Sequence, residues 1–333
     1  MRIIIDAFGG DNAPLSNIEG AVLAKKEYDA DVILCGNEEK IRACAKENNL
    51  SLDGIDIIHA DEVFDVHDDP NLLLKSKSNT SLAVAFKAVK DGLADAIISA
   101  GSSGAVLMGG TFIVKRIKGI KRPAFASVIP TIDKPYMLID MGANIDCRPE
   151  ILVQFAIVGN AYMKNVMGIE NPRVGLINIG AEETKGGELL VETHKRLKDS
   201  NLNFIGNVEP RYLTDGICDV AVCDGFTGNV VLKMTEGVAS TMMKMIKGIL
   251  SKNLKSKFAA ALIMGGLKKL KKKFDYSEHG GAPLMGVKAP VIKAHGSSDS
   301  KAIKSAVRQA IEFSKTNVIA DIEEALKGEN DNG

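Results

Sequence analysis

Asp95-Ala-Ile-Ile-Ser-Ala-Gly-Ser-Ser-Gly-Ala-Val-Leu-Met108 aligns without a gap to Asp219-Val-Ala-Val-Cys-Asp-Gly-Phe-Thr-Gly-Asn-Val-Val-Leu232. Each copy runs from a short apolar stretch through Gly-x-Ser/Thr-Gly into a segment of helical apolar period, so each reads as strand, glycine turn, helix. Glycine in such a turn permits positive φ and a close backbone approach, and the first N–H groups of the following helix carry partial positive charge. Such a turn binds anions. Any parallel α/β protein needs tight strand-to-helix turns, but two matched ones with hydroxyl residues point to a ligand as well as to a fold. Gly101, Ser102, Ser103 and Gly104, with Gly225, Thr227 and Gly228, are therefore candidate phosphate or substrate ligands.

The alternation extends outward through the chain. Arg2 to Asp6 is a β-branched run followed by the polar loop Asp6-Ala-Phe-Gly-Gly-Asp-Asn-Ala-Pro14 and a helix to about Tyr28, with Ser16 as its cap. Asp31 to Gly36 and Ile55 to His59 read as further strands, with a helix from about Glu38 between them. Thr80 or Ser81 caps the next helix, and another runs from Gly104 to about Lys115. Ala124 to Ile129, Tyr136 to Asp140, Arg173 to Ile179, Asn203 to Ile205 and Val291 to Lys293 are the remaining strands besides those of the two turns. Helices are expected from Pro149 to about Met167, to about Lys198, and from the His295-Gly-Ser-Ser-Asp299 turn to about Leu326. Alternation of this kind gives a doubly wound, mostly parallel α/β sheet. Polar loops follow the carboxyl ends of at least five of these strands, where open α/β sheets collect ligands, so Asp6, Asn12 and Asn144 join the candidates.

With 333 residues, 45% of them hydrophobic, the chain can bury a large core without staples. Its zero formal net charge and pI near 7.0 offer no overall attraction to nucleic acid. The five cysteines are odd in number and form no CxxC pair, which argues against a disulfide framework or zinc knuckle and fits a reducing, cytoplasmic compartment. The first apolar run is too short for a signal peptide, and no run approaches transmembrane length. The histidines show no ligand-like spacing, so no metal is expected, and Cys223 reads as a buried small hydrophobe.

No Walker lysine motif and no complete G-x-G-x-x-G accompany the glycine turns, so the anion is expected to be smaller than a nucleotide. Lys185 and Lys233 lie beside such turns and Arg148 and Lys293 near strand ends, a set able to hold a dianionic phosphate together with backbone N–H groups. Asn144 and Asn229 stand at strand-to-helix junctions, where an amide either caps the helix or donates to an oxyanion. His295, two residues before Ser297 at a helix start, reads as an acid, base or donor, or as a plain polar histidine.

Between Glu236 and Asp275 there is no acidic residue but ten lysines. Met242, Met245, Ile246, Ile249, Leu254, Phe258 and Leu262 interleave with them at helical spacing, so 237–274 is expected to form basic amphipathic helices broken near Gly265-Gly266. Lys252, Lys255, Lys257, Phe258, Lys268 and Lys271 would present a surface to an anionic membrane or an acidic protein. The alternative is a helical hairpin packed on its own domain or on a second subunit.

Several of these stretches, Asp6 to Pro14, Ser99 to Ala105, Asp140 to Cys147, Phe204 to Glu209, Cys223 to Lys233, Gly281 to Leu284 and His295 to Asp299, closely resemble the bacterial phosphate acyltransferase family PlsX from the first strand to the last helix. Phe8 stands where that family usually has Met, and Ser102-Ser103 where it has Asn-Thr. The resemblance implies a cytoplasmic enzyme of phospholipid synthesis without cofactors. It would move a fatty acyl group from acyl carrier protein to inorganic phosphate and supply acyl phosphate to a membrane-bound glycerol-3-phosphate acyltransferase. It further implies a homodimer in peripheral contact with the membrane, with a fold like the isocitrate and isopropylmalate dehydrogenases and phosphotransacetylases. The chain is then one unit over 1–333, with lobes 1–125 plus 290–333 and 126–289 about a cleft. In this chemistry phosphate sits on the paired turns with help from Lys185, while Asn229 or His295 stabilises the oxyanion. Two other readings have a place: a metal- and NAD-dependent hydroxyacid dehydrogenase of the same fold, and a non-catalytic module that binds fatty acyl groups or carrier protein.

Overall fold

The computed structural model describes residues 1–131, 133–273 and 280–330. Its first half places β1 (Arg2–Asp6), β2 (Asp31–Gly36), β3 (Ile55–His59) and β4 (Ala96–Ser99) in one parallel block with β11 (Val291–Lys293), in the order β3-β2-β1-β4-β11. Ile3, Ile4 and Ile5 are fully buried, as strands covered on both faces require. α1 (Leu15–Tyr28) packs on α9 (Ser300–Ser314) over one face of this block. Their approach rests on Gly20, where a Cβ would come within 2.5 Å of the Ile303 Cβ. α3 (Ser81–Lys90) contacts β1, β2 and β4. α2 (Glu38–Glu47) and α4 (Ser103–Gly109) complete the covering of this half.

The second half is also parallel, in the order β6-β9-β7-β8, from β6 (Tyr136–Ile139), β9 (Val220–Val222), β7 (Val174–Ile177) and β8 (Phe204–Val208). α5 (Pro149–Asn165) is buried along almost its whole length between this sheet, α6 (Glu188–Lys198) and α10 (Val318–Asn330). The C-terminal helix α10 thus packs with the half that contains α5, tied there by Asn165 Nδ2 donating to Asp321 Oδ2 at 2.8 Å. Arg173 closes the edge where β7 and β9 begin. Its Nε and Nη2 donate to the two oxygens of Asp219, each at 3.0 Å.

Two strands join the halves into one eleven-stranded sheet. β5 (Ala124–Ile129) and β10 (Ala282–Met285) are each antiparallel to both neighbours, so the second parallel block runs opposite to the first. The sheet is doubly wound and mostly parallel, as the alternation predicts. Five inter-strand steps separate β4 from β9; at about 20–25° of twist per step, their carboxyl ends do not lie on opposite edges of a flat plane.

β10 is the one strand not foreseen. Pro283 has no N–H to give, and β10 pairs through only two residues on each side, too little to leave a periodic signature. The expected final helix is two, broken between Ser314 and Val318. The first glycine turn leads into α4 and then a wide π-helical turn over Gly110–Lys115. The basic segment forms α7 (Gly225–Ser251) and α8 (Leu254–Lys273). Their break falls at 252–253, not at Gly265-Gly266, because Asn253 Oδ1 accepts from Ser256 N and caps α8.

Gly228 shows how tightly α7 begins. A Cβ there would lie 1.7 Å from the Asp140 carbonyl oxygen, whereas one at Gly237, further along the same helix, would meet nothing. Gly228→Ala is expected to lower unfolding free energy by about 3 kcal/mol or more, and Gly237→Ala to raise it by roughly 0.5–1 kcal/mol; urea denaturation of the two variants checks the pair.

Candidate active site

The loops after β1, β4 and β11 are one hydrogen-bonded unit. Asp6, buried at the end of β1, accepts from Ser81 Oγ at 2.7 Å, Ser99 Oγ at 2.8 Å and Phe8 N at 3.3 Å. Burial pushes its carboxyl above the ordinary carboxylate range, against the pull of those donors. Ser99 Oγ in turn accepts from Gly101 N at 3.0 Å, so Asp6 and the first glycine turn share one serine. A Cβ on Gly9 would fall 2.5 Å from Asp6 Oδ2 and 2.7 Å from Gly101 N, and only glycine lets the first loop pass here. Asn12 Nδ2 then donates to the carbonyls of Ser297 and Ser298, which joins the β11 loop.

The twin turns are alike in sequence and different in use. Ser102 caps α4, its Oγ accepting from Ala105 N, while the N–H groups of Ser103 and Gly104 have no acceptor among the described residues. In the second turn the cap is Asp224, two positions earlier in the alignment. Its carboxylate takes Thr227 N and Thr227 Oγ1, both at 2.9 Å, and Gly225 N goes to the Asn144 carbonyl at 2.7 Å. Gly225 and Gly228 serve the close approach of α7 to residues 140–144. A negative side chain already occupies the helix terminus where an anion would otherwise bind.

Asp140 anchors those residues as Asp6 anchors the other half. It is fully buried and accepts from Asn144 N and Nδ2 and from Phe125 N and Ala143 N. Burial again raises its carboxyl, opposed by these bonds. Asn144 also donates to the Pro123 carbonyl at 2.7 Å, so its amide is spent on the fold. Cys223 is buried behind the turn with its thiol pushed well up by burial.

Ser103 and Asn229, one from each turn, line the same cavity of about 310 Å3. Lys293 and His295 from the end of β11 and Lys233 and Glu236 from α7 add ionisable groups to its lining. Phe125, Val128, Ile129, Pro130, Leu232 and Ala239 form an apolar wall along β5 and α7. The Asn229 amide makes no hydrogen bond among the described residues. Ser297 N donates to His295 Nδ1 at 3.2 Å, which makes Nδ1 the acceptor and leaves the neutral ring with its proton on Nε2. Ser297 Oγ lies 2.8 Å from the same nitrogen. Lys233 stands at the rim, 3.6 Å from Glu236 and largely exposed.

Other expected ligands lie elsewhere. Lys185 is exposed on the loop after β7, held by Asn178 Nδ2 donating to its carbonyl, and does not line the cavity. Asp6, Asn12, Ser102 and Thr227 act as the supports described above, Asp6 buried and Asn12 exposed. Lys252 is exposed in the loop after α7, and Lys255, Lys257, Phe258 and Lys268 are exposed on α8, while the side chain of Lys271 lies outside the described residues. The apolar wall had no signal in the sequence, since β5 reads simply as a buried strand.

Residues 1–321 match a family profile described as a fatty acid synthesis protein. A phosphate acyltransferase of Clostridioides difficile is 48% identical over 332 residues, 99% of this chain and 98% of its own. One of Bacillus licheniformis is 48% identical over 329 residues, 98% of each chain. A phosphotransacetylase from Streptococcus pyogenes superposes with a TM-score of 0.66 over 94% of each chain at 18% identity, a likeness of fold. Fold and relatives together define an α/β acyltransferase. The chain belongs to the fatty acid synthesis protein family, among the bacterial phosphate acyltransferases, as its motifs led us to expect.

The serine shared by Asp6 and Gly101 offers a direct test of the support. Ser99→Ala leaves a buried carboxylate oxygen and a backbone N–H each short of a partner, and is expected to cost about 1–3 kcal/mol in denaturant unfolding and to lower turnover.

Proposed function

We propose that the cavity transfers a fatty acyl group from the thioester of acyl carrier protein to inorganic phosphate, giving acyl phosphate and free carrier protein. One observation carries this reading: a single cavity is lined both by cations and hydrogen-bond donors, among them Asn229, Lys293 and His295, and by apolar side chains of β5 and α7. The polar groups suit phosphate and the reacting carbonyl, and the wall suits the chain. A phosphate oxygen attacks the thioester carbon, forming a C–O bond and an oxyanion; collapse breaks the C–S bond, and the departing sulfur takes up the proton that phosphate sheds. Phosphate is already an anionic nucleophile, so positioning and oxyanion stabilisation are the main demands on the protein. Asn229 Nδ2 and His295 Nε2 are the donors suited to that oxyanion, and Lys233 guides the anionic substrate at the rim. Lys185 would act from outside the cavity, on substrate as it enters.

The hairpin of α7 and α8 supports the wider role. Met234, Val238, Met242, Met245 and Ile249 form an exposed apolar stripe on α7, and Leu254, Phe258 and Leu262 another on α8, flanked by lysines. Such a surface suits an acidic carrier protein, an anionic membrane or a second copy of the chain. In this reading the protein is a cytoplasmic homodimer in peripheral contact with the membrane, where a glycerol-3-phosphate acyltransferase takes up the acyl phosphate. No helix among the described residues is long and apolar enough to cross a bilayer.

Phosphate-dependent release of carrier-protein thiol tests the proposal and separates it from a non-catalytic binding module. Asn229→Ala is expected to lower kcat by about 10²-fold or more with folding intact; wild-type turnover would remove Asn229 from the chemistry. Ala239→Leu should shift preference toward shorter acyl chains, and an unchanged chain-length profile would mean that the chain lies elsewhere.

A further inference from the structure

We propose that the Lys293 ammonium is the cation that holds the phosphate nucleophile, an inference that rests on the acyl-to-phosphate reading above. Lys293 ends β11, directly opposite Ser99 in the parallel pairing with β4, so the sheet register places it beside the residue whose hydroxyl supports the first glycine turn. It lines the cavity beside His295. Its Nζ donates to the carbonyls of Ala100 and Ala294, which uses two of its three N–H bonds and pins the group against the turn.

The charge is not neutralised where it stands. Among the described residues Lys293 forms no ion pair; Asp6 and Asp11 act on it only from further away. A half-buried ammonium facing a partly apolar cavity is costly, and an anion bound there offsets the cost. Burial lowers its pKa to about 8, with Asp11 and Asp6 pulling the other way. The cation is thus present at neutral pH and lost as the solution becomes mildly alkaline. Of the other cations in reach, Lys233 is paired at the rim with Glu236 and Lys185 is outside the cavity. The ionisable groups around Lys293 are therefore Asp6, Asp11, His295, Lys233 and Glu236.

The experiment follows carrier-protein thiol release against inorganic phosphate concentration, and thermal stability against the same anion, in wild type, Lys293→Met and Lys293→Arg. Lys293→Met is expected to raise the phosphate KM roughly 10- to 100-fold, the range of a charge-assisted hydrogen bond, with the carrier-protein KM unchanged. Wild-type kcat/KM for phosphate should fall on the alkaline side near pH 8. Lys293→Arg, which stays charged, should retain phosphate saturation and move that limb upward. A role confined to bracing the turn would move neither the limb nor the phosphate KM selectively. An unchanged phosphate KM in Lys293→Met, or an unmoved limb in Lys293→Arg, overturns the assignment. If Lys293→Met does not fold, the arginine variant decides. If wild type releases no thiol, the transfer reading fails, and Lys293 is still judged by whether phosphate raises the thermal midpoint of wild type and Lys293→Arg, supporting it, or of neither, overturning it.

Discussion

A carboxylate taken out of water must find its hydrogen bonds inside the protein, and Asp6 and Asp140 each do so at the end of a central strand. Asp6 gathers Ser81, Ser99 and the backbone after β1, and through Ser99 the first glycine turn. Asp140 gathers Asn144 and the amides of Phe125 and Ala143. In each half one buried group sets the path of the loops that surround the cavity. Their raised protonation tendency marks how much burial has to be offset by those bonds.

The two halves are therefore built on one plan and put to unequal use. Where the first turn keeps two helix N–H groups unclaimed, the second spends its own on Asp224 and on the Asn144 carbonyl. Two adjacent anion holes would compete for the same substrate. In the proposed transfer, with one helix terminus already holding a carboxylate, phosphate takes the side of Ser103, Lys293 and His295, and the acyl chain the apolar residues of β5 and α7.

Much of this was legible in the sequence because parallel strands and their turns write strong local signals. The β-branched runs, the cap at Thr80, the turn that opens α9 and the matched glycine turns all correspond to observed elements, whereas Ser16 lies inside α1 and caps nothing. Asn229 and His295 could be picked out, since a polar residue at a strand-to-helix junction has few places to point. What could not be read were the partners of side chains brought together from distant positions. Asn144 and Thr227 look like ligands until Asp140 and Asp224 are seen to hold them. Lys185 and Lys293 look alike as lysines near strand ends, and only the sheet order separates the exposed one from the one opposite Ser99. β10, with a proline and two-residue pairings, left no periodicity to read.

α7 begins in the cavity and runs for 27 residues, a rod of ~40 Å at 1.5 Å per residue. Asn229, Leu232 and Lys233 stand near its base, Ala239 at its middle, and Met242, Met245 and Ile249 toward its tip. The base is clamped, with Gly228 pressed on the Asp140 carbonyl and Val231 and Leu232 packed on the core, whereas most of the helix beyond Gly237 is exposed. The helix that offers this exposed apolar tip is also a wall of the cavity. In the proposed function, docking and chemistry therefore share one continuous element.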